Sequence, residues 1–260
     1  HSSQNNGVLF KHGSGSASHT NHFFNNSVYY SGRWDPTPGT IQGALIRWYG
    51  NTTNYGTIIK NNILYYHGLG STDIIGGPSN PHLYGTIVTN NWLTATGNPL
   101  FISTNVSDLT SADLPNLRLS SGSGAINAGM HLTTAVGSGS SSTALTVEDA
   151  LYFQDGTWGS VLADHEPDRI AVGTVGNIAT ISSINYTTQV ITLASPLTWA
   201  SGDSVWLYSR NDGTIVLAGT APELGAFEQG AYLDVDGQYR TRRTISSSSR
   251  RQLEGIEYSQ

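Results

Sequence analysis

Apolar and polar positions alternate along the first hundred residues in short bursts, and one burst is repeated. Tyr55-Gly56-Thr57-Ile58-Ile59-Lys60-Asn61-Asn62-Ile63-Leu64-Tyr65 returns as Tyr84-Gly85-Thr86-Ile87-Val88-Thr89-Asn90-Asn91-Trp92-Leu93-Thr94. A looser copy, Asn21-His22-Phe23-Phe24-Asn25-Asn26-Ser27-Val28-Tyr29, precedes both. The Asn pairs recur after about 36 and then about 29 residues, within the range of solenoid repeats. Each unit reads as strand, tight corner, strand. Asn tolerates left-handed backbone at such corners, and stacked Asn side chains can hydrogen-bond from one copy to the next as a ladder. The pattern predicts coils of a parallel β-helix over residues 1–132, with Gly7–Lys11 and Ala44–Tyr49 as further strands. Gly32–Thr40 and Ser71–Pro81, dense in Gly and Pro, are expected to project as loops, because proline cannot sit in a central ladder.

The pattern changes after residue 132. A Gly/Ser stretch from Val136 to Ser142 reads as a linker. Strand-like runs follow at Ala144–Val147, Arg169–Val172, Ile178–Ile184, Gln189–Leu193 and Ser204–Tyr208, with turns at Asn185-Tyr186-Thr187-Thr188 and Ser201-Gly202-Asp203. Five short strands so spaced predict an inserted β-roll or small barrel over 133–219. Residues 220–260 then carry a closing strand and a basic tail. From Arg240 onward Arg240, Arg242, Arg243, Arg250 and Arg251 oppose Glu254 and Glu257, a net of +3, leaving about −9 on the remainder. A basic tail against an acidic body invites docking onto the body or onto a second copy.

Composition narrows the class. Charged residues make up only 12% of the 260, with 30 Gly, a profile of all-β chains with many turns. No apolar run approaches a membrane span, and the absence of cysteine excludes disulfides and thiolate metal sites. The chain opens His1-Ser2-Ser3 without Met and reads as processed or partial. Sequons at Asn25, Asn51, Asn105 and Asn185 are what chance gives in a chain rich in Asn, Ser and Thr.

Three phrases carry a family resemblance: Gly97-Asn98-Pro99-Leu100-Phe101-Ile102, then Ser121-Gly122-Ser123-Gly124-Ala125-Ile126-Asn127-Ala128-Gly129, then Gly225-Ala226-Phe227-Glu228. They resemble the C-terminal closing segment of secreted right-handed parallel β-helix proteins of the pectate-lyase-like superfamily, over about 1–130 and 220–230. The resemblance implies a right-handed solenoid, an extracellular setting and contact with carbohydrate. It does not imply one activity, since that superfamily mixes lyases, hydrolases, epimerases, adhesins and spikes.

A lyase acting on uronic-acid polymers needs a Lys or Arg base, a partner cation and often carboxylates holding Ca²⁺. Lys11, His12, His22 and Arg33 form the richest basic neighbourhood. Trp34, Trp48 and Tyr49 are the aromatics available for stacking on sugar rings. A hydrolase needs paired carboxylates, and the coil region offers only Asp35 and Asp73. Asp164-His165-Glu166-Pro167-Asp168 reads as a polar loop before a cation site, and Asp234-Val235-Asp236-Gly237 as a turn, because the acidic residue that would complete a calcium loop is missing. No metal site is assigned and no cofactor is required, Ca²⁺ being the one ion the pattern allows.

Two functions are therefore expected. The first is an extracellular structural subunit of a surface fibre, sheath or spike, assembling through its open end and through Arg240, Arg242, Arg243, Arg250 and Arg251. The second is the C-terminal part of a secreted polysaccharide lyase or glycoside hydrolase. Neither involves nucleic acid or a transmembrane segment. A non-catalytic carbohydrate-binding module is a third, with Trp34 as its test.

Overall fold

The computed structural model describes residues 6–11, 21–29, 44–49, 56–65, 74–75, 86–104, 115–157, 166–211, 213–229, 231–233 and 239–241. The fold is all-β. The first nine strands are β1 (Asn6–Lys11), β2 (His22–Phe24), β3 (Ser27–Tyr29), β4 (Ala44–Tyr49), β5 (Ile58–Lys60), β6 (Ile63–Tyr65), β7 (Ile74–Ile75), β8 (Ile87–Thr89) and β9 (Trp92–Leu93). They pair in three small parallel sheets of orders β1-β4-β7, β2-β5-β8 and β3-β6-β9. Register follows the repeat: His22, Ile58 and Ile87 lie abreast, as do Ser27, Ile63 and Trp92.

The corners explain that register. Asn25, Asn61 and Asn90 adopt φ of 51°, 58° and 49°, the left-handed region that Asn enters at least cost among residues with a Cβ. The second Asn of each pair builds the ladder. Asn62 Oδ1 accepts from the Asn26 N–H at 2.9 Å, and Asn91 Oδ1 accepts from the Asn62 N–H at 3.0 Å. Between the sheets Leu45, Ile46, Ile59 and Leu64 are wholly buried, flanked by Val8, Phe23, Val28 and Leu93. Each such burial stabilises by about 1.5–3 kcal/mol.

Two antiparallel strands follow, β10 (Phe101–Ser103) and β11 (Asn116–Leu119). The largest sheet comes next. It comprises β12 (Thr133–Thr134), β13 (Gly139–Thr146), β14 (Arg169–Val172), β15 (Ile178–Asn185), β16 (Val190–Trp199) and β17 (Ser204–Ser209). All its pairings are antiparallel, in the order β12-β17-β14-β15-β16-β13. The sheet curls into a half-barrel whose outer strands meet again, the Val136 N–H donating to Thr146 O at 2.8 Å and the Glu148 N–H to Thr134 O at 3.0 Å. The concave face holds an apolar cluster that includes Leu145, Ile170, Ile181, Ile191 and Val205. A last hairpin pairs β18 (Ala231–Leu233) with β19 (Tyr239–Thr241).

Two expectations are corrected. The right-handed parallel β-helix is not what forms: parallel pairing among the described residues stops at three sheets of three short strands, the dominant sheet is antiparallel, and no solenoid is evident. The resemblance to the pectate-lyase-like superfamily falls with it. The repeat fixes corners and register locally, and three copies of it specify three rungs and no more. The Gly/Ser linker is also replaced. Gly139, Ser140, Ser141 and Ser142 belong to the long strand β13, paired against Leu197 and Trp199. Small residues suit that place, because a Cβ at Gly139 would lie 2.5 Å from the Trp199 ring. The expected turns are present: Asn185 Oδ1 accepts from the Thr187 and Thr188 N–H groups, and Gly202 has φ of 86°.

The second of the closing phrases meets the residues that lead into the third, although they lie far apart in sequence. The Leu224 N–H donates to Ala125 O at 3.0 Å, the Gly129 N–H to Pro222 O at 2.7 Å, and the Thr220 N–H to Asn127 Oδ1 at 2.8 Å. The half-barrel thus leaves the body and returns at one place.

Candidate functional site

Two places gather chemistry. The first is the junction where β2 and β5 meet the half-barrel. Phe24 and Ile58 pack on its apolar cluster, and Tyr152 sets its ring edge-on to His22 at 4.4 Å and to Phe24 at 5.2 Å. His22 Nε2 lies 2.7 Å from Asp149 Oδ2, and the histidine side chain is only 8% exposed. Lys60 is buried beside them. Its Nζ donates to Leu132 O at 3.0 Å and stands 5.8 Å from the Tyr152 ring centroid.

The electrostatics follow from this crowding. Burial pulls Lys60 below its ordinary range, partly offset by Asp149. Burial would raise Asp149, but the His22 hydrogen bond, the Leu151 N–H and the charges of His22 and Lys60 together hold it below the usual carboxylate range. Burial, with the Asp149 charge, pushes the Tyr152 phenol up. His131, whose Nδ1 lies 3.0 Å from Ser204 Oγ, is pulled down by burial and by Lys60. An imidazole held by a carboxylate can serve as a general base, but that of His22, on β2, is enclosed by Asp149 and the Tyr152 ring. Its observed use is to tie the two halves together.

The second place is the outer edge of the parallel sheets. β8 is a terminal strand, and Ile87 and Val88 are 53% and 44% exposed, whereas Ile59, abreast of Val88, is wholly buried. The asparagine ladder ends there too. Each rung's Oδ1 receives the N–H of the rung before it. Among the described residues the Asn91 N–H therefore has no acceptor and the Asn26 Oδ1 no donor.

Of the catalytic candidates, Lys11 ends β1 abreast of Tyr49, and Phe10 lies abreast of Trp48, both pairs on adjacent parallel strands. His22 lies in β2 and is taken up by Asp149. His12, Arg33 and Trp34 lie outside the described residues, as do Arg242, Arg243, Arg250 and Arg251. Arg240 lies in β19 abreast of Tyr232. Glu166 and Asp168 of the acidic cluster are described, and Asp168 is buried and accepts from the Gln154 N–H at 2.9 Å. Of the anticipated basic neighbourhood only His22 has a described side chain, and it is brought to Asp149 and Tyr152, with Lys60 beside that tyrosine. Lys60 carried the only advance signal, a charge following two isoleucines on a strand the repeat makes half-buried.

No family model matches the chain, and neither the curated proteins nor the solved structures searched contain a match to it.

Proposed function

We propose that this chain is a structural subunit that adds copies of itself end to end at the open edge of its parallel sheets, as part of an extracellular assembly. The observation that carries this reading is the edge at β8. An apolar pair, Ile87 and Val88, is exposed at the register where the preceding rung holds the half-buried Ile58 and the fully buried Ile59. Exposed edge strands of this kind invite another chain and are usually blunted. The ladder adds complementarity, since one end offers the Asn91 N–H and the other the Asn26 Oδ1. A second copy seated with its β2 under β8 would continue both the hydrogen bonds and the core. Such a contact joins two different surfaces, so it propagates as a filament unless its rotation closes a ring. The sparse charge of the chain suits an assembly with little self-repulsion.

The catalytic alternative is less well supported. Its one candidate imidazole with a described side chain, His22, is enclosed by Tyr152 and Asp149. Light scattering over a dilution series tests the proposal. The wild-type chain is expected to grow in mass with concentration, and Ile87→Lys with Val88→Lys to weaken association by about tenfold or more. A wild-type mass that stays monomeric at every concentration would defeat it.

A further inference from the structure

Glu223 and Glu228 lie five positions apart on the segment that returns from the half-barrel, and are only 4% and 6% exposed. Their carboxyl groups hydrogen-bond to each other. The two oxygens of Glu228 also accept from backbone, the Glu223 N–H at 3.2 Å and the Ala218 N–H at 3.3 Å. A bond between two carboxyl groups needs a hydrogen, because an ionised carboxylate only accepts. One of the pair must therefore be protonated. Glu223 Oε2 and Asn25 Oδ1, the latter at the first left-handed corner, have no hydrogen-bond partner, and both residues line one cavity of about a single water's size.

We propose that Glu223 and Glu228 share a single proton at neutral pH and that this proton latches the returning segment onto the first rung, so that the seam loosens as pH rises. Two ionised carboxylates side by side in a dry site repel one another with little water to screen them. Burial first, then the hydrogen bond and charge of Glu223, push Glu228 up to about 10. Two cations stand near the pair. Arg210, which follows β17, lines the same cavity without an ion pair to either glutamate, and its charge acts on Asp168. Arg118 of β11 stands 6.0 Å from the Phe227 ring centroid. The other wall residues, Asn25 and Val216 among them, carry no charge. A water in the cavity would donate to both orphan oxygens but would leave a second negative charge in place.

The latch closes a turn that is bound to the parallel stack. Gly225, between the two glutamates, has φ of 94°, and a Cβ there would lie 2.5 Å from Ser27 Oγ. The Gly225 N–H donates to Asn61 O at 2.8 Å, and the Ala226 N–H to Ser27 Oγ at 3.0 Å across 199 positions. A second charge would drive the two ends of that turn apart. The sign of the pH effect follows. An unfolded chain releases this proton near about pH 4, whereas the folded pair keeps it. Stability from the latch is therefore full below that pH and is lost as pH rises toward about 10.

Urea unfolding of the full chain at steps from about pH 7 to about pH 9.5 tests the latch, above the range in which Asp168, raised to about 6, titrates. The wild-type folding equilibrium constant should fall by up to about tenfold per pH unit. Glu223→Gln, whose amide donates to Glu228 with no proton to lose, should flatten that fall and equal or exceed wild type at the alkaline end. Glu223→Ala should be less stable throughout. A flat wild-type profile would overturn the latch, as would a Glu223→Gln profile that falls in parallel with wild type. Infrared spectra of folded wild-type protein at neutral pH need no variant. A protonated carboxyl band that moves on ¹³C-glutamate labelling is expected, and its absence would overturn the shared proton.

Discussion

Asn62 shows what one side chain does in this fold. Wholly buried, it donates through Nδ2 to Phe23 O at 2.9 Å and to Asn91 Oδ1 at 2.9 Å, and its Oδ1 accepts from the Asn26 N–H and side-chain amide. Asn62→Ala strands those groups without water. It is expected to cost about 3 kcal/mol, read as a lower denaturant midpoint. Asn62→Asp, nearly isosteric, should cost more at pH 7, because an ionised carboxylate would face two acceptors in a dry site. Asp168 is the opposite case, a carboxyl whose burial raises it to about 6. Its unfolded form ionises near pH 4, so the folded state binds the extra proton and stability falls as pH rises from about 4 to 6. Asp168→Asn should remove that slope, on the order of 3 kcal/mol across the window, as followed by urea unfolding at each pH.

At the scale of elements, the strands owe their existence to different signals, and the sequence displays those signals unequally. The repeated Asn pairs made the corners at Asn25, Asn61 and Asn90 and the abreast pairing of Ile58 with Ile87 legible, because Asn states both a backbone conformation and a spacing. The same logic overreached. Pairing three rungs deep was extended to a solenoid, although the number of rungs depends on what covers the last one, and no residue in the repeat encodes that. Gly139–Ser142 went unread as strand because their small side chains answer to Trp199, which lies across the sheet and far along the chain. The junction was hidden for a similar reason. His22 stood out as a base, but nothing near it in sequence points to Asp149, 127 positions away. At β8 the consequence is testable. Lysines at Ile87 and Val88 should leave melting nearly unchanged, these positions being exposed, while abolishing most association. Comparable loss of both would mean that the strand serves its own fold.

Across the whole molecule, a short parallel stack and a curled antiparallel half-barrel are fastened at two places. One is the His22–Asp149 pair with Lys60 and Tyr152. The other is the seam between Ala125–Gly129 and Thr220–Leu224. β8 is the terminal strand of its sheet among the described residues, with Ile87 and Val88 exposed, and the proposed growth by added copies would start there. The chain has no cysteine, so introduced thiols report geometry without background. Phe23, Ile59 and Val88 lie abreast on consecutive strands, and the residue of a second copy seated under Val88 would be its Phe23. Within one chain those two positions are two strand spacings apart, about 9–10 Å, too far for a disulfide. Oxidation of the variant carrying both Phe23→Cys and Val88→Cys should therefore yield a ladder of covalent multimers on a non-reducing gel, with no species beyond dimer from either single variant. A folded double variant that stays monomeric after oxidation would contradict end-to-end assembly.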